Sequence, residues 1–389
     1  MKNRIAYFLL LTNFFAINLA LGQERYFEHT IDSKVFGEER TVRVFVPERY
    51  LENPEQDFST VYVLDAQLDQ FWDMARGNID YLVYQSQIIP MITVGIVSPN
   101  RGSEFNPNND ELSRHFRDEV FELIKEKYRV NNHRIVIGHS WGGAYIGNTI
   151  FGEYSNLFDA YIGISPSFDA IDGVIFRKAD SVLSQKPKLK KFLYATSGDF
   201  GYREQESYDG VLKMDSIVKQ YFNPTLWWQY EVIENTGHWT CVIPSINNGL
   251  LALSRIYSAD KKVFEDFAKN EYLSISDQYP IFKKSKTKNF GFFYEPSSGY
   301  LRHVADDFRE QGNAVAAKDM YLLAINKGSN DVITYFNLAQ TYESLDNKVK
   351  AKPLYQKCLE LLEKEKENRS ERWYTNFKAA IDERIEAID

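Results

Sequence analysis

The sequence has little cysteine: Cys241 and Cys358 are the two cysteines in a chain of 389 residues. They fall in parts of the chain that the sequence pattern assigns to different domains, so we expect no disulfide between them. Two thiols alone are also too few for a structural zinc site. The chain is therefore expected to rely on an ordinary hydrophobic core, which its hydrophobic fraction of 44% allows.

Basic residues are not in excess. The chain has 46 Lys and Arg against 54 Asp and Glu, a net charge of −8. Nucleic-acid binding needs a basic face that neutralises phosphates, so a nucleic-acid partner is not expected.

Apart from its N-terminus, the sequence lacks an apolar run long enough to cross a bilayer. Lys2 and Arg4 precede an apolar run from Ile5 to Ala20, and small residues stand before Gln23 as at a signal-peptidase site. Two asparagines interrupt the run, which argues against a membrane anchor. Residues 1–22 are predicted to be a signal peptide, so the mature protein would be secreted or periplasmic without a membrane span.

Residues 23–258 alternate between strand and helix patterns. Short apolar or alternating runs predict strands at Arg40–Val46, Thr60–Leu64, Met91–Val97, Arg134–Ile137, Ala160–Ile164, Phe192–Ala195 and Leu226–Ile233. Helical segments are predicted between them at Glu111–Tyr128, Gly142–Phe151, Ser207–Tyr221 and Cys241–Ser258. This alternation predicts an α/β domain with a mostly parallel central sheet.

The last third of the chain contains a repeat. Residues 259–297 read as a connector, with the polar stretch Lys283–Asn289 as an exposed loop. Beyond it, a 34-residue offset aligns small and aromatic residues, as in the tetratricopeptide repeat: Ala305 with Ala339, Phe308 with Tyr342, Ala317 with Ala351, Tyr321 with Tyr355 and Ala324 with Cys358. Residues 298–389 are thus predicted to form a small all-α domain that packs against the α/β domain. Arg372–Ile388 is expected to be its capping helix. The domain would offer a surface for a protein partner or for self-association.

The segment Gly138-His139-Ser140-Trp141-Gly142 directly follows a predicted strand and precedes a predicted helix. This G-x-S-x-G pattern is the nucleophile elbow of the α/β-hydrolase fold. The turn at the serine is sharp and strained, so we expect Gly138 and Gly142 to be required because they lack side chains. The elbow presents the Ser140 hydroxyl at the sheet edge, and the backbone N–H of Trp141 would face a developing oxyanion.

A serine hydroxyl needs a base, and in this fold the histidine follows the last strand. His238 is the one that follows the strand ending at Ile233, in a turn-rich segment. The remaining histidines precede the elbow, lie within it or lie in the repeat region: His29, His115, His133, His139 and His303. His238 is therefore the predicted base, while His139 is expected to point inward and be structural.

The orienting acid should follow the strand Phe192–Ala195. The next segment offers Asp199, Glu204 and Glu206, and spacing does not decide among them.

Several motifs together make the chain resemble the Putative esterase family, which includes enterochelin esterases, feruloyl esterases and the mycolyltransferase antigen 85. These motifs are Tyr62-Val-Leu-Asp-Ala-Gln67, Val94-Gly-Ile-Val-Ser-Pro-Asn-Arg101 with Glu104-Phe-Asn-Pro107, and the Arg117–Tyr128 helix followed by the Gly-His-Ser-x-Gly-Gly elbow. The resemblance spans residues 24–258. Bacterial members of this family also carry tetratricopeptide-like regions.

The resemblance implies two further site residues. The second oxyanion donor would be the backbone N–H of Gln67, although Ala66 replaces the usual glycine beside it. Gly201-Tyr202-Arg203-Glu204 resembles the segment that carries the acid in enterochelin esterases, which favours Glu204 with Asp199 as the alternative.

The expected function is that of a secreted serine esterase that acts on a small-molecule ester, for example of siderophore or feruloyl type, through an acyl-enzyme. This chemistry requires no metal ion or cofactor. The alternatives are an acyltransferase on the same scaffold and a secreted binding module with a vestigial hydrolase domain.

Overall fold

The computed structural model describes residues 24–52, 54–185 and 188–388. The predicted signal peptide, residues 1–22, lies outside the described residues. Within those ranges, no helix combines the length and apolar character that a bilayer span requires.

A single eight-stranded sheet forms the centre of the N-terminal part. In chain order its strands are β1 (Tyr26–Ser33), β2 (Glu38–Phe45), β3 (Phe58–Val63), β4 (Met91–Ile96), β5 (Val130–His139), β6 (Ala160–Ile164), β7 (Lys191–Gly198) and β8 (Leu226–Ile233). Their spatial order is β1-β2-β4-β3-β5-β6-β7-β8. Six neighbouring strands, β4-β3-β5-β6-β7-β8, are parallel. At one edge of the sheet β2 pairs antiparallel with β4, and β1 pairs antiparallel with β2.

Helices fill the crossovers of this sheet. They are α1 (Glu48–Glu52), α2 (Asp69–Tyr84), α3 (Arg101–Glu104), α4 (Glu111–His115), α5 (Phe121–Lys127), α6 (Trp141–Ile150), α7 (Ala170–Ser184), α8 (Tyr202–Gln220) and α9 (Val242–Tyr257). A π-helical turn, Phe116–Val120, joins α4 to α5. The C-terminal part adds α10 (Lys261–Ala268), α11 (Ile275–Phe290), α12 (Ser298–Glu310), α13 (Ala314–Asn326), α14 (Val332–Ser344), α15 (Lys348–Glu365), the 3₁₀ turn Lys366–Asn368 and α16 (Glu371–Ile388).

The central strands are buried on both faces. In β5, Val136 packs into the hydrophobic core on one side of the sheet, and Ile135 and Ile137 pack into the core on the other. A strand covered on both faces reads as a continuous apolar run, which is why the parallel strands stand out in the sequence. The predicted fold class, a mostly parallel α/β sheet with a C-terminal all-helical region, is confirmed.

The structure differs from the sequence prediction at two places, a strand that was missed and a segment that was assigned wrongly. β1 was not predicted, because its alternating half-exposed residues, YFEHTIDS, include several polar and charged ones. The stretch Lys283–Asn289 is not a loop but part of α11. Ser274 caps the N-terminus of that helix, and Gly291, in the left-handed conformation, ends it.

The C-terminal helices form two similar pairs. The first helices of the two pairs, α12 and α14, begin at Ser298 and Val332. The second helices, α13 and α15, begin at Ala314 and Lys348, so both helices of a pair keep the 34-residue offset. The small and aromatic residues aligned by this offset are all buried. α10 and α11 add Phe264, Ile275 and Tyr279 to the same core, so residues 259–297 pack with the repeats. The tetratricopeptide assignment of these pairs stays a prediction.

Candidate active site

Ser140 lies on a sharp turn between β5 and α6. Its backbone has φ 57° and ψ −113°, a conformation that non-glycine residues rarely adopt. The turn is held on both sides: the Ser140 N–H donates to Ile164 O at 2.9 Å, and its carbonyl accepts from the Ser167 N–H at 3.0 Å. The hydroxyl is thereby presented at the carboxyl edge of the sheet, beside the N-terminus of α6.

Two glycines around Ser140, Gly138 and Gly143, are needed for close backbone packing. A Cβ on Gly138 would lie 2.5 Å from the carbonyl carbon of Gly142 and closer still to its oxygen. A Cβ on Gly143 would lie 2.5 Å from Pro166 Cα. The expectation for Gly142 was wrong, because a Cβ there would have its nearest neighbour, Leu64, at 3.6 Å. The backbone carbonyl of Gly142, which any residue at that position would have, leaves no room for a side chain at Gly138.

We expect Gly138→Ala to lower the free energy of unfolding by about 1–3 kcal/mol, because the added methyl group must displace backbone rather than a flexible side chain. Gly77→Ala is the matched control. Gly77 is exposed in α2 and has open space at its Cβ, so this change should be neutral or stabilising by up to about 1 kcal/mol. Urea unfolding of both variants tests this, and equal stabilities would contradict it.

His238 lies in the loop between β8 and α9 and faces Glu204. Its Nδ1 is 3.0 Å from Glu204 Oε2, which leaves Nε2 without a partner among the described residues. The His238 ring also packs 4.5 Å from the ring of His139, the residue before Ser140. The structure therefore brings the imidazole to the elbow, although no hydrogen bond joins Ser140 Oγ to Nε2. Such bonds are often long before substrate binds.

Glu204 lies in the first turn of α8, with its side chain buried. Ser165 Oγ donates to Glu204 Oε1 at 2.6 Å, and the Gly198 N–H donates to the same oxygen. Burial raises the pKa of the carboxyl, but hydrogen bonds from His238, Ser165 and Gly198 outweigh it and hold the pKa below its ordinary value. Glu204 is therefore ionised at neutral pH.

The other two candidate acids do not contact the imidazole. Asp199 Oδ2 accepts the Asn235 N–H at 2.9 Å, and Oδ1 accepts the Thr236 N–H at 3.1 Å. Asp199 thus anchors the loop that carries His238. Glu206 is exposed on α8.

His139 is buried beneath the His238 loop. Its Nε2 lies 2.8 Å from the His238 carbonyl, which can only accept a hydrogen bond, so Nε2 carries the proton. Burial, and next the neighbouring His238, lower the pKa of His139 to about 4. A neutral His139 therefore holds the backbone of His238 in place.

Two backbone N–H groups are open near the elbow. Neither the Trp141 nor the Gln67 N–H has an acceptor among the described residues, whereas the flanking Ala66 and Leu68 N–H groups bond to Ile96 and Asp65. The left-handed residue of this turn is Asp65, with φ 64°, rather than Ala66. An alanine at position 66 is therefore accommodated without strain.

Arg101 fixes the turn that carries Gln67. Its Nε and Nη2 bind Asp65 Oδ1 and Oδ2 at 2.7 and 3.0 Å, and Gln67 Nε2 donates to Asp65 Oδ1 at 2.8 Å. Arg101 therefore makes a structural ion pair with Asp65.

We expect Arg101→Met to cost about 2–4 kcal/mol of stability, because it leaves the buried Asp65 carboxylate without its counter-ion. Turnover should fall at least about tenfold as the Gln67 turn loosens. Asn tolerates the left-handed conformation, so the double variant Asp65→Asn/Arg101→Met should recover much of the stability. Chemical unfolding and ester kinetics of the three variants check this. A double variant as unstable as Arg101→Met alone would contradict it.

The aromatic residues that follow the Gln67 turn, the nucleophile and the base in the chain divide into two groups. Phe71 and Trp72 are buried in the core, so they do not line the mouth. Trp239 is 61% exposed, and Trp141 is half-buried. Beside Glu204, a cavity of about 550 Å³ is lined in part by two further exposed aromatics, Phe200 and Tyr202.

Some contacts at this site had no sequence signal. Ser165 follows β6 without any recognisable motif, and it reaches Glu204 only because β6 and β7 are neighbours in the sheet. The Gly198 N–H and Cys241, whose thiol is 3.1 Å from Ser165 Oγ, also belong to no recognisable motif. Both cysteines are free, as expected.

A parallel sheet flanked by helices, with a serine on a strained turn after its central strand, defines an α/β-hydrolase fold. The family described as Putative esterase matches residues 33–244, and the chain belongs to this family. The predicted resemblance is thereby confirmed, and the chain is an enzyme of the esterase class. No curated protein matches the sequence significantly.

Solved structures share the fold at low sequence identity. An IroE-like serine hydrolase from Shewanella oneidensis is 19% identical with a TM-score of 0.63, and the match covers 77% of this chain and 99% of that one. An uncharacterised protein from Capnocytophaga ochracea is 17% identical with a TM-score of 0.67, covering 94% of this chain and 99% of that one. A siderophore hydrolase from Aspergillus nidulans is 17% identical with a TM-score of 0.51, covering 59% and 94%. The Capnocytophaga match is too long for the α/β part alone, so the combination with C-terminal helices recurs.

Proposed function

We propose that the protein is an exported serine esterase in which Ser140 is the nucleophile, His238 its base and Glu204 the orienting acid. The observation that carries this proposal is the 3.0 Å contact between Glu204 Oε2 and His238 Nδ1, which leaves Nε2 without a partner among the described residues on a loop that packs against His139, the residue before the strained serine. Export rests on the sequence of residues 1–22. Membership of the esterase family supports the reaction class.

In the proposed reaction, His238 Nε2 takes the Ser140 proton while Ser140 Oγ attacks the ester carbonyl. The N–H groups of Trp141 and Gln67 stabilise the oxyanion, and each such donor is worth about 3 kcal/mol in the transition state. The imidazolium then protonates the leaving alcohol. Water, deprotonated by the same base, releases the acid from the acyl-enzyme and regenerates the Ser140 hydroxyl.

The half-buried Ser140 and the exposed Trp239 support a site that water can enter, which favours hydrolysis over acyl transfer. We propose a small-molecule ester as substrate. The similarity to a siderophore hydrolase makes siderophore esters the first class to test, followed by feruloyl esters. The exposed aromatic rings near the mouth suit a substrate with a planar group.

The test is a panel of siderophore, feruloyl and short-chain acyl esters, with product analysis in water and in water–alcohol mixtures. We expect turnover of at least one ester, with the free acid as the main product. Transfer of the acyl group to the alcohol as the dominant reaction would favour an acyltransferase. No turnover across the panel, together with no reaction of Ser140 with a fluorophosphonate, would favour a binding module.

A further inference from the structure

A buried serine lies directly behind Glu204. Ser165 follows β6 and is fully buried, and its backbone is left-handed with φ 41°. Its N–H donates to Thr196 O at 2.9 Å, and its carbonyl accepts from Ser207 Oγ at 3.1 Å. A non-glycine residue keeps such a conformation only when its surroundings hold it there. The position of the Ser165 hydroxyl is therefore fixed.

The two carboxylate oxygens of Glu204 have separate partners. Oε1 accepts from Ser165 Oγ at 2.6 Å and from the Gly198 N–H, whereas Oε2 faces His238 Nδ1 at 3.0 Å. Two donors on one oxygen prevent the carboxylate from rotating about its terminal bond. The donors to Oε1 therefore keep Oε2 as the oxygen that faces the imidazole.

The direction of the Ser165 hydrogen is fixed by its neighbours. An ionised carboxylate only accepts, so the single hydroxyl hydrogen of Ser165 is donated to Glu204. The remaining neighbour of Ser165 Oγ is Cys241 Sγ at 3.1 Å, and this thiol also lies 3.6 Å from the His238 carbonyl. Burial raises the pKa of Cys241 to about 11, so the thiol stays protonated and can donate. Every hydrogen in this arrangement has an acceptor.

We propose that Ser165 is a positioning residue that acts through Glu204, holding the carboxylate so that one oxygen faces His238 Nδ1. The inference rests on the proposed function, because it assigns Ser165 a part in orienting the base. It predicts an effect on kcat rather than on KM, because Ser165 is buried behind the acid and away from the substrate.

The experiment is a double-mutant cycle between Ser165→Ala and Glu204→Gln. A hydrogen bond to a charged group implies that Ser165→Ala lowers kcat by about tenfold to a hundredfold in the wild-type background. In the Glu204→Gln background the same change should cost less than about threefold. Ser197→Ala is the matched control, since Ser197 is also buried but its hydroxyl has no partner among the described residues. That variant should keep wild-type kcat.

Equal losses in both backgrounds, or no loss in either, would overturn the proposal. Ser165→Gly removes the hydroxyl while relieving the left-handed backbone, so it must lose the same activity if the hydroxyl acts, even where Ser165→Ala folds poorly. A second readout does not need turnover: the low-field proton resonance of His238 Nδ1 should shift in Ser165→Ala and not in Ser197→Ala. An unchanged resonance would overturn the proposal, whereas failure of the proposed function would appear as full activity in Ser140→Ala.

Discussion

Ser140→Ala should lower kcat/KM for any ester that the enzyme turns over by at least about 10⁴-fold. The Ser140 hydroxyl oxygen is the atom that would form the acyl-enzyme, so its removal leaves only direct attack by water on the ester. The residual rate would come from the oxyanion donors and from substrate binding. Alanine keeps the Cβ of serine, so the strained turn and its two backbone hydrogen bonds should persist.

The measurement is steady-state kinetics on the best ester from the panel, with thermal unfolding of the same preparations. The variant should unfold at nearly the wild-type temperature, because Ser140 Oγ makes no hydrogen bond to a described residue. Activity within tenfold of wild type would contradict the assignment of the nucleophile.

Glu204→Gln should lower kcat by about 10³- to 10⁴-fold. The amide NH₂ can donate to His238 Nδ1, which would place the imidazole proton on Nε2 and remove its ability to accept the serine proton. The contrast with Asp199→Asn is the sharp test, because Asp199 binds loop N–H groups and does not contact His238. Asp199→Asn should cost less than about tenfold, since the amide oxygen still accepts one of those bonds.

Glu206→Gln is the surface control and should be silent, because Glu206 is exposed on α8. Kinetics of the three variants at one pH rank the carboxylates directly. A larger loss in Asp199→Asn than in Glu204→Gln would show that the loop anchor matters more than the group facing the imidazole, and would contradict the assignment of the acid.

The features that could be predicted from the sequence, the parallel strands and the nucleophile elbow, are those that a short stretch of residues determines by itself. The parallel strands are continuous apolar runs because both faces of the sheet are covered, and the elbow is a short motif with a local steric cause at Gly138. β1 has neither property, since it pairs at the edge and alternates half-exposed residues.

The acid could not be chosen by spacing. Glu204 and Asp199 both lie between β7 and the body of α8, and their separate roles depend on the start of that helix at Tyr202. The family resemblance favoured Glu204, and the contacts around it give the physical reason. The contact between Ser165 and Glu204 could not be predicted from the sequence, because it depends on the register of β6 against β7.

The most direct measurement of the central claim is reaction of the purified protein with a fluorophosphonate, followed by intact mass and peptide mapping. A serine that is activated by the imidazole should gain one adduct, mapped to Ser140, and the adduct should be absent in Ser140→Ala and form far more slowly in His238→Ala. An unlabelled wild-type protein, or an adduct on another residue, would contradict the account.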